Sequence, residues 1–237
     1  MTTAEFAVEL DGRIAKYDLL CHPFYKAWSE GQLTREDLRE YALDYYEHVR
    51  AFPSYLAELA LRLDEGHTRR AVLANMTDEL GGNGAKRSEP SHAEPSHADM
   101  WMDFAEGMGA RKECARPVLK EIKALVEHFN DVASQGAVEE ALAAFYAYES
   151  QVPRIAAEKE RGLRAWYGAD DRTCSYFTLH QTADVYHSQV WRKLLEKQVA
   201  ANPEAAEKAL AAGEAAARAL WGALDGMESR RQAAVAA

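Results

Sequence analysis

Apolar side chains recur at intervals of three and four residues along almost the whole chain, and this spacing constrains the fold more than any other feature. A helix has about 3.6 residues per turn, so this spacing forms one apolar stripe per helix, whereas a half-buried strand requires alternation of apolar and polar residues. No segment shows sustained alternation bounded by turn residues. The pattern therefore predicts an all-α fold with helices over residues 3–20, 34–65, 67–81, 97–109, 113–134, 137–167, 170–200 and 203–230.

Helix-capping and helix-breaking residues support these boundaries. Thr34 precedes the second predicted helix and Asp37 follows three residues later, which is typical of a helix start. Pro53 and Pro153 fall inside long helical patterns, and each removes a backbone hydrogen bond, so we expect each to kink its helix. Because no linker divides the chain, we expect one domain over residues 1–237.

Residues 81–96 interrupt the helical pattern. They are rich in glycine, proline and serine, and the pentapeptide EPSHA occurs in tandem at residues 89–93 and 94–98. This composition is typical of a surface loop. The doubled unit is too short for a solenoid, so it predicts an inserted loop and not a repeat architecture.

The charge balance limits the partners of the chain. There are 28 basic and 38 acidic side chains, a net charge of −10, without any basic block, which argues against nucleic acid or an anionic membrane as a partner. No stretch approaches the ~18 uninterrupted apolar residues of a membrane span. The three cysteines form no close pair and the first residues do not resemble a secretion signal, so we expect a cytoplasmic protein.

The sharpest local signal is the segment HQTADVYH, in which His180, Asp184 and His187 are spaced by four and three residues. At about 100° per residue, the three side chains fall within roughly 60° of one another on one helix face. Two imidazoles and a carboxylate on one stripe are half of a metal site. A solvated row of polar residues has the same spacing, so the triplet alone leaves both interpretations open.

Partners for such a site lie on other predicted helices. Glu79 is near the end of the third helix, Glu149 lies in the apolar segment AFYAYESQVPRI, and His97 opens the fourth helix. A carboxylate on an apolar face normally requires a cation, a metal or a proton. Helical bundles use carboxylates and histidines from separate helices to hold two iron or manganese ions. A dinuclear metal site is therefore a hypothesis that these residues support, although spacing alone does not decide it.

Five sequence features together carry a family resemblance. They are HPFYKAW at residues 22–28, the glutamate near the end of the third predicted helix, a histidine four residues before Trp101, YESQVP at residues 148–153, and HQTADVYH at residues 180–187. Over most of its length the chain resembles the heme-oxygenase-like diiron oxidases. Within them it is most similar to the CADD-like para-aminobenzoate synthases, named for the chlamydial protein associating with death domains. The resemblance implies one all-α domain of the heme-oxygenase-like type, with helices packed around a central cavity.

The resemblance also implies a metal-dependent oxygenase of folate biosynthesis, with two metal ions (Fe/Fe or Mn/Fe), dioxygen and an external reductant. The implied metal ligands are Glu79, His97, Glu149, His180, Asp184 and His187. Tyr25 matches the tyrosine that the family consumes, and Lys159 matches the lysine thought to supply the amino nitrogen. The chain would therefore make para-aminobenzoate from its own side chain.

Two other functions remain open on the sequence. The same metals could oxidise an external small molecule, with Tyr25 merely lining the pocket. Alternatively, the chain could be a non-catalytic module that binds a partner through its acidic surface and the loop at 81–96. The expected partners are small molecules, namely dioxygen and a reductant, and formation of a homodimer is left undecided.

The chain departs from the family at one ligand. The family has a short interval between the glutamate and the histidine that follows it, whereas Glu79 and His97 are separated by the EPSHA duplication, which also contains His92. His92 therefore competes for the site. We expect His97 to be the ligand, because it keeps the spacing to Trp101 and can start a helix.

Other polar residues have simpler interpretations. His48, His67 and His128 are expected at the surface or at helix ends, and Cys174 is expected to be a small buried apolar residue. Without the resemblance, the charged stretch EKERGLR around Lys159 predicts a solvated face.

Overall fold

The structure, a computed structural model, describes residues 1–82, 95–110 and 117–235. His92 and most of the inserted loop lie outside these residues. Within them the chain is helical without strands, which confirms the predicted all-α class. The ten α-helices of the described residues are α1 (Thr3–Ala15), α2 (Pro23–Ser29), α3 (Arg35–Arg62), α4 (His67–Glu79), α5 (His97–Gly107), α6 (Lys120–Ser134), α7 (Val138–Glu149), α8 (Val152–Tyr167), α9 (Asp171–Ala201) and α10 (Ala206–Val235).

The N-terminal region differs from the expected single helix over residues 3–20. Helix α1 ends at Ala15, and a 3₁₀ turn over Leu19–Cys21 leads into α2. The backbone N–H of Phe24 donates to Nδ1 of His22, which caps α2, and Pro23 occupies its first turn. Proline suits that position because its missing N–H would have no helical partner there. The HPFYKAW motif therefore forms a short helix that periodicity alone did not predict.

The expected helix over residues 137–167 is two helices. Helix α7 ends at Glu149 and α8 begins at Val152, with Pro153 in its first turn. The expectation of a kink at Pro153 is therefore wrong, since this proline starts a helix instead of bending one. Helix α3, by contrast, continues through Pro53, and the predicted capping pair of Thr34 and Asp37 is confirmed at its start.

Helices α7 and α9 occupy the centre of the domain. All nine residues of α7 from Ala141 to Glu149 are buried, because α9 and α10 pack against this helix. Helix α9 also packs against α5 and α8, while α3 contacts α4, α5 and α6. The polar triplet of α9 consequently faces other helices and not solvent. None of the helices in the described residues is both long and apolar enough to cross a bilayer.

A close approach at Gly162 fixes α2 against α8. A Cβ atom on this glycine would lie 2.8 Å from Cδ1 of Trp28, closer than carbon atoms pack. The indole Nε1–H of Trp28 donates to the carbonyl oxygen of Lys159 at 3.3 Å. Because Trp28 and Tyr25 lie on the same short helix, this contact brings Tyr25 towards Lys159.

Candidate metal centre

Three of the six predicted ligands lie at helix ends. Glu79 is the last residue of α4, His97 the first of α5 and Glu149 the last of α7. The other three, His180, Asp184 and His187, lie in the middle of α9. All six side chains are buried. The interpretation of the α9 triplet as a solvated row is therefore wrong.

One group of donor atoms gathers around the start of α5. Nδ1 of His97 lies 2.7 Å from Oε2 of Glu79 and 3.1 Å from Nε2 of His180. On its other side, Nδ1 of His180 lies 2.6 Å from the carbonyl oxygen of Tyr176, so this nitrogen is the donor and Nε2 faces the cluster. The ligand atoms of Glu79, His97 and His180 lie within 4.8 Å of one another.

A second group shares Glu79 with the first. Glu79, Glu149 and His187 also place one ligand atom each within 4.8 Å of one another. Nδ1 of His187 lies 3.4 Å from Oδ1 of Asp184 and 3.8 Å from Oε1 of Glu149. Asp184 lines the same internal pocket as Glu79, Glu149 and His180. The structure thus brings together all six residues, with Glu79 between two groups of donors.

Burial of the carboxylates opposes their ionisation. It raises the pKa of Glu149 well above the usual value, and the charge of Asp184 raises this pKa further. Burial also raises the pKa of Asp184, to about 6, although the hydrogen bond from His187 works against this. The fully charged cluster is therefore costly unless positive charge accompanies it.

The neighbouring carboxylates raise the pKa values of two of the imidazoles. Burial lowers the pKa of His187, but the hydrogen bond to Asp184 and the charge of Glu149 outweigh it and raise the pKa to about 10. For His97, the charge and hydrogen bond of Glu79 likewise outweigh burial and raise the pKa. Protons on these two histidines compensate the carboxylates where a metal ion would otherwise do so.

The donor set fits two divalent metal ions. Three carboxylates and three imidazoles are ligands that suit iron and manganese, and two divalent ions would supply four positive charges against three negative ones. Glu79 and Glu149 also end their helices, where the helix dipole favours cations and disfavours a buried anion. Metal ions would offset both the cost of burying charged carboxylates and their unfavourable interaction with the helix dipoles. These residues therefore suit a dinuclear centre better than a metal-free core.

Tyr25 and Lys159 face a second internal cavity. Its volume is about 20 Å³, which is room for a molecule of about the size of water. Nζ of Lys159 lies 4.3 Å from the centroid of the Tyr25 ring and donates to the hydroxyl oxygen of Tyr41 at 2.5 Å. The hydroxyl groups of Tyr25 and Tyr41 are 2.9 Å apart. Tyr41 therefore connects the amine and the phenol.

Aromatic rings enclose the amine of Lys159. Besides the ring of Tyr25, the ring centroids of Tyr41 and Trp28 lie 4.8 Å and 5.3 Å from Nζ. Burial lowers the pKa of Lys159 well below its usual value. The expectation of a solvated face is wrong here, because α8 turns this lysine inwards while its charged neighbours stay at the surface.

Two tyrosines separate the lysine cavity from the ligand cluster. Tyr148 and Tyr176 line both the cavity around Tyr25 and the pocket of the carboxylates. The ring of Tyr176 stacks on that of His180 with a centroid distance of 3.9 Å. The structure therefore places the ligand cluster and the pair of Tyr25 and Lys159 on either side of a shared aromatic wall.

The structure adds two hydrogen-bond donors to Glu149 that sequence reasoning missed. Nδ2 of Asn75 donates to Oε1 of Glu149 at 3.1 Å, and the indole Nε1–H of Trp191 donates to Oε2 of the same carboxylate. Trp191 follows His187 by four residues and therefore continues the polar stripe of α9, a signal that was available in the sequence. Asn75 lies four residues before Glu79 and therefore shares a face of α4 with that residue, which is a comparable signal.

The expected surface location is wrong for His48. This side chain is fully buried among aromatic rings, and Tyr148 and Phe129 lie at centroid distances of 4.9 Å and 5.0 Å. His67 is exposed as expected, and His128 is half-buried. Cys174 is buried, and burial raises the pKa of its thiol to about 11, as suits an inert core residue.

The fold and this site define an all-helical protein whose buried carboxylate and imidazole cluster suits redox metals. Residues 39–221 match a family described as iron-containing redox enzymes, and the chain belongs to this family. A solved domain of unknown function with a heme oxygenase-like fold, from Shewanella denitrificans, superposes with a TM-score of 0.78 at 14% identity, covering 98% of this chain and 94% of that one. The expected heme-oxygenase-like fold is thereby confirmed.

Two curated relatives are more similar in sequence. The chain is 38% identical to a protein of Nitrosomonas europaea named 4-aminobenzoate synthase, over 96% of this chain and 92% of that protein. It is 36% identical to a protein of Chlamydia pneumoniae with the same name, over 83% of this chain and 84% of that one. The suspected relationship to this group of synthases is therefore confirmed.

Proposed function

We propose that this chain makes 4-aminobenzoate, also called para-aminobenzoate, from its own Tyr25, with Lys159 as the source of nitrogen. The names of the relatives support the product. The observation that supports the internal substrate is the contact of the Lys159 amine with the Tyr25 ring in a cavity of about 20 Å³. An external aromatic substrate would require this cavity to widen, because it now has room for about one water molecule.

The chemistry of the product agrees with tyrosine as its precursor. 4-Aminobenzoate has seven carbon atoms, a ring with one attached carbon and a para substituent, and the side chain of tyrosine has the same carbon skeleton. Conversion requires cleavage of the Cα–Cβ bond of Tyr25 and oxidation of Cβ to the carboxyl group by dioxygen. It also requires a new bond from the ring to Nζ of Lys159, loss of the phenol oxygen as water, and cleavage of the Cε–Nζ bond of Lys159. The chain is then consumed, because nothing in the reaction restores residue 25.

The metals would be held by Glu79, His97, Glu149, His180, Asp184 and His187. When bound, two iron ions or a manganese–iron pair supply the one-electron oxidising chemistry, with dioxygen as the oxidant and an external reductant. The aromatic walls exclude bulk water from the side chains that react. Tyr148 and Tyr176 lie between the metal ligands and Tyr25.

Lys159 is suited to act as a nucleophile. Burial lowers its pKa well below the usual value, which favours the neutral amine, whose lone pair is available to attack. Tyr41 touches both reacting groups through its hydroxyl. It can therefore accept a proton from Nζ of Lys159 and donate its own proton to the phenol oxygen of Tyr25.

Isotope labelling tests the proposal. Protein grown with ¹³C-labelled tyrosine and ¹⁵N-labelled lysine, loaded with iron and manganese and exposed to reductant and dioxygen, should release 4-aminobenzoate that carries both labels. The peptide that contains residue 25 should lose the tyrosine side chain in the same sample. Tyr25→Phe and Lys159→Arg should abolish the product and keep the bound metal near the wild-type amount.

Matched variants complete this experiment. Tyr46→Phe and Lys120→Arg change residues outside the cavity and should keep the wild-type yield. Unlabelled product from fully labelled protein, or full activity of Tyr25→Phe, would instead favour an oxidase that acts on an external small molecule. Absence of metal binding and of product in the wild-type protein would favour a partner-binding module.

A further inference from the structure

The two ring nitrogens of His187 point in different directions. Nδ1 faces Asp184 and Glu149 inside the cluster, whereas Nε2 lies 3.2 Å from Oδ2 of Asp78. A proton on Nε2 can be donated to the Asp78 carboxylate, which leaves the lone pair of Nδ1 directed into the cluster. Carboxylates that contact the distal nitrogen of a metal-binding histidine commonly fix its tautomer and ring orientation in this way.

Each oxygen of the Glu149 carboxylate accepts a hydrogen bond from a side chain that is not a proposed ligand. Asn75 donates to Oε1 from α4, and Trp191 donates to Oε2 from α9. Both donors are buried, so solvent cannot replace them if either is removed. Two fixed donors favour the ionised form of the carboxyl group and hold its plane in one orientation.

We infer that Asp78, Asn75 and Trp191 are positioning residues that hold His187 and Glu149 in the orientation that binds metal. Asp78 and Asn75 lie one and four residues before Glu79 on α4, and Trp191 lies four residues after His187 on α9. The helices that supply the ligands therefore also supply the groups that orient them. This inference rests on the dinuclear centre of the proposed function, but not on the identity of the organic product.

A purely structural role for Asp78 predicts a different result. Its side chain is 47% exposed, and ion pairs near the surface typically contribute little to folding stability. Loss of such a pair would change the melting temperature slightly and leave metal affinity unchanged. Loss of a positioning contact would change metal affinity even where the fold is unaffected.

Manganese binding to matched variants tests the inference. Mn²⁺ is titrated into metal-free wild-type protein and into Asp78→Asn, Asn75→Leu and Trp191→Phe, with the number and affinity of bound ions measured by competition with a chelator. We expect one of the two ions to bind about 10- to 100-fold more weakly in each variant. The electron paramagnetic resonance spectrum should change from that of a coupled Mn²⁺ pair to that of an isolated ion.

Conservative and distant substitutions serve as controls. Asp78→Glu retains a carboxylate and should recover most of the affinity that Asp78→Asn loses. Asp103→Asn removes a carboxylate that pairs with Arg172 on the surface, and it should bind two ions as the wild type does. If Asn75→Leu or Trp191→Phe does not fold, the result for Asp78 decides, because that side chain lies at the edge of the site.

The outcomes separate this inference from the proposed function. Wild-type affinity for both ions in Asp78→Asn would overturn the inference and leave the metal centre and the product unaffected. Failure of the wild-type protein to bind Mn²⁺ or Fe²⁺ would overturn the metal centre and, with it, the inference. Metal binding by the wild type without 4-aminobenzoate formation would overturn the proposed function alone.

Discussion

Tyr41 is the residue that joins the two side chains proposed to react. Its hydroxyl lies 2.5 Å from Nζ of Lys159 and 2.9 Å from the hydroxyl of Tyr25. Tyr41→Phe keeps the ring and removes the hydroxyl that contacts both groups. We expect the single-turnover rate of product formation to fall roughly 10- to 100-fold, since a buried hydrogen bond to a reacting group contributes about 1–3 kcal/mol.

The rate of 4-aminobenzoate release after addition of dioxygen measures this effect. Bound metal should stay at the wild-type amount, because Tyr41 contacts none of the six proposed ligands in the described hydrogen bonds. A Tyr41→Phe variant with an unchanged rate would show that the proton moves by another route.

His48 makes stability depend on pH. Burial lowers its pKa to about 3, and neither ring nitrogen has a hydrogen-bond partner among the described residues. The titratable groups that face it are the phenols of Tyr45, Tyr55 and Tyr148, which stay neutral in this range. The unfolded chain binds a proton at residue 48 below about pH 6.5, whereas the folded chain excludes it until about pH 3.

Acid should therefore destabilise the folded protein through this residue. Between pH 6.5 and 3 the unfolded state binds more protons at residue 48, so the free energy of unfolding falls with decreasing pH by up to ~1.4 kcal/mol per unit. In metal-free protein, His48→Phe should lose this part of the slope in denaturant titrations at several pH values. His67→Gln, at an exposed position, should keep it, and equal slopes in all three proteins would contradict the assignment.

At the scale of helices, the contact of α2 with α8 at Gly162 sets the position of Tyr25. A methyl group there would lie 2.8 Å from Cδ1 of the buried Trp28 and 3.2 Å from its backbone oxygen. Gly162→Ala should therefore push α2 away from α8 and lower the free energy of unfolding by about 1–3 kcal/mol. Product formation should fall with it, because Tyr25 moves away from Lys159.

Gly12 provides the comparison for this change. It lies in α1, and a Cβ atom there would meet nothing within 4 Å. Gly12→Ala should be neutral or stabilising by up to ~1 kcal/mol, as expected from helix propensity. Thermal unfolding and product yield of the two variants, measured side by side, separate a clash at the helix contact from a general effect of alanine; equal stability of both would contradict the packing argument.

For the whole molecule, metal binding and folding should be coupled. The six proposed ligands come from four helices that are distant in sequence, so the unfolded chain cannot present them together. Each Mn²⁺ ion that binds at 100 times its dissociation constant should add about 2.7 kcal/mol to the free energy of unfolding. For a chain of this length, that corresponds to a rise in melting temperature of roughly 5–10 °C.

Scanning calorimetry with and without Mn²⁺ measures this coupling. His187→Ala removes one proposed ligand and should reduce the rise, whereas His67→Ala lies at an exposed position and should keep it. An equal rise in both variants would mean that the ion stabilises the protein from some other place.

Features that depend on neighbouring residues could be predicted from the sequence. The all-α class follows from apolar spacing, and the common face of His180, Asp184 and His187 follows from the helical repeat. The proline in YESQVP is also a local signal, because it marks the start of a helix. Its interpretation as a kink led to the wrong prediction of one helix where the structure has α7 and α8. These features are local because one or two turns of backbone determine them.

Features that depend on which helices meet were decided by the tertiary structure. The burial of Lys159 and His48 reverses what their local sequences predict, because aromatic residues from distant segments surround them. Asn75 became visible as a partner of Glu149 only when α4 packed beside the end of α7. Desolvation and hydrogen bonding act through space, so the sequence by itself determined the helices and their polar faces, and packing decided which of those faces share one buried site.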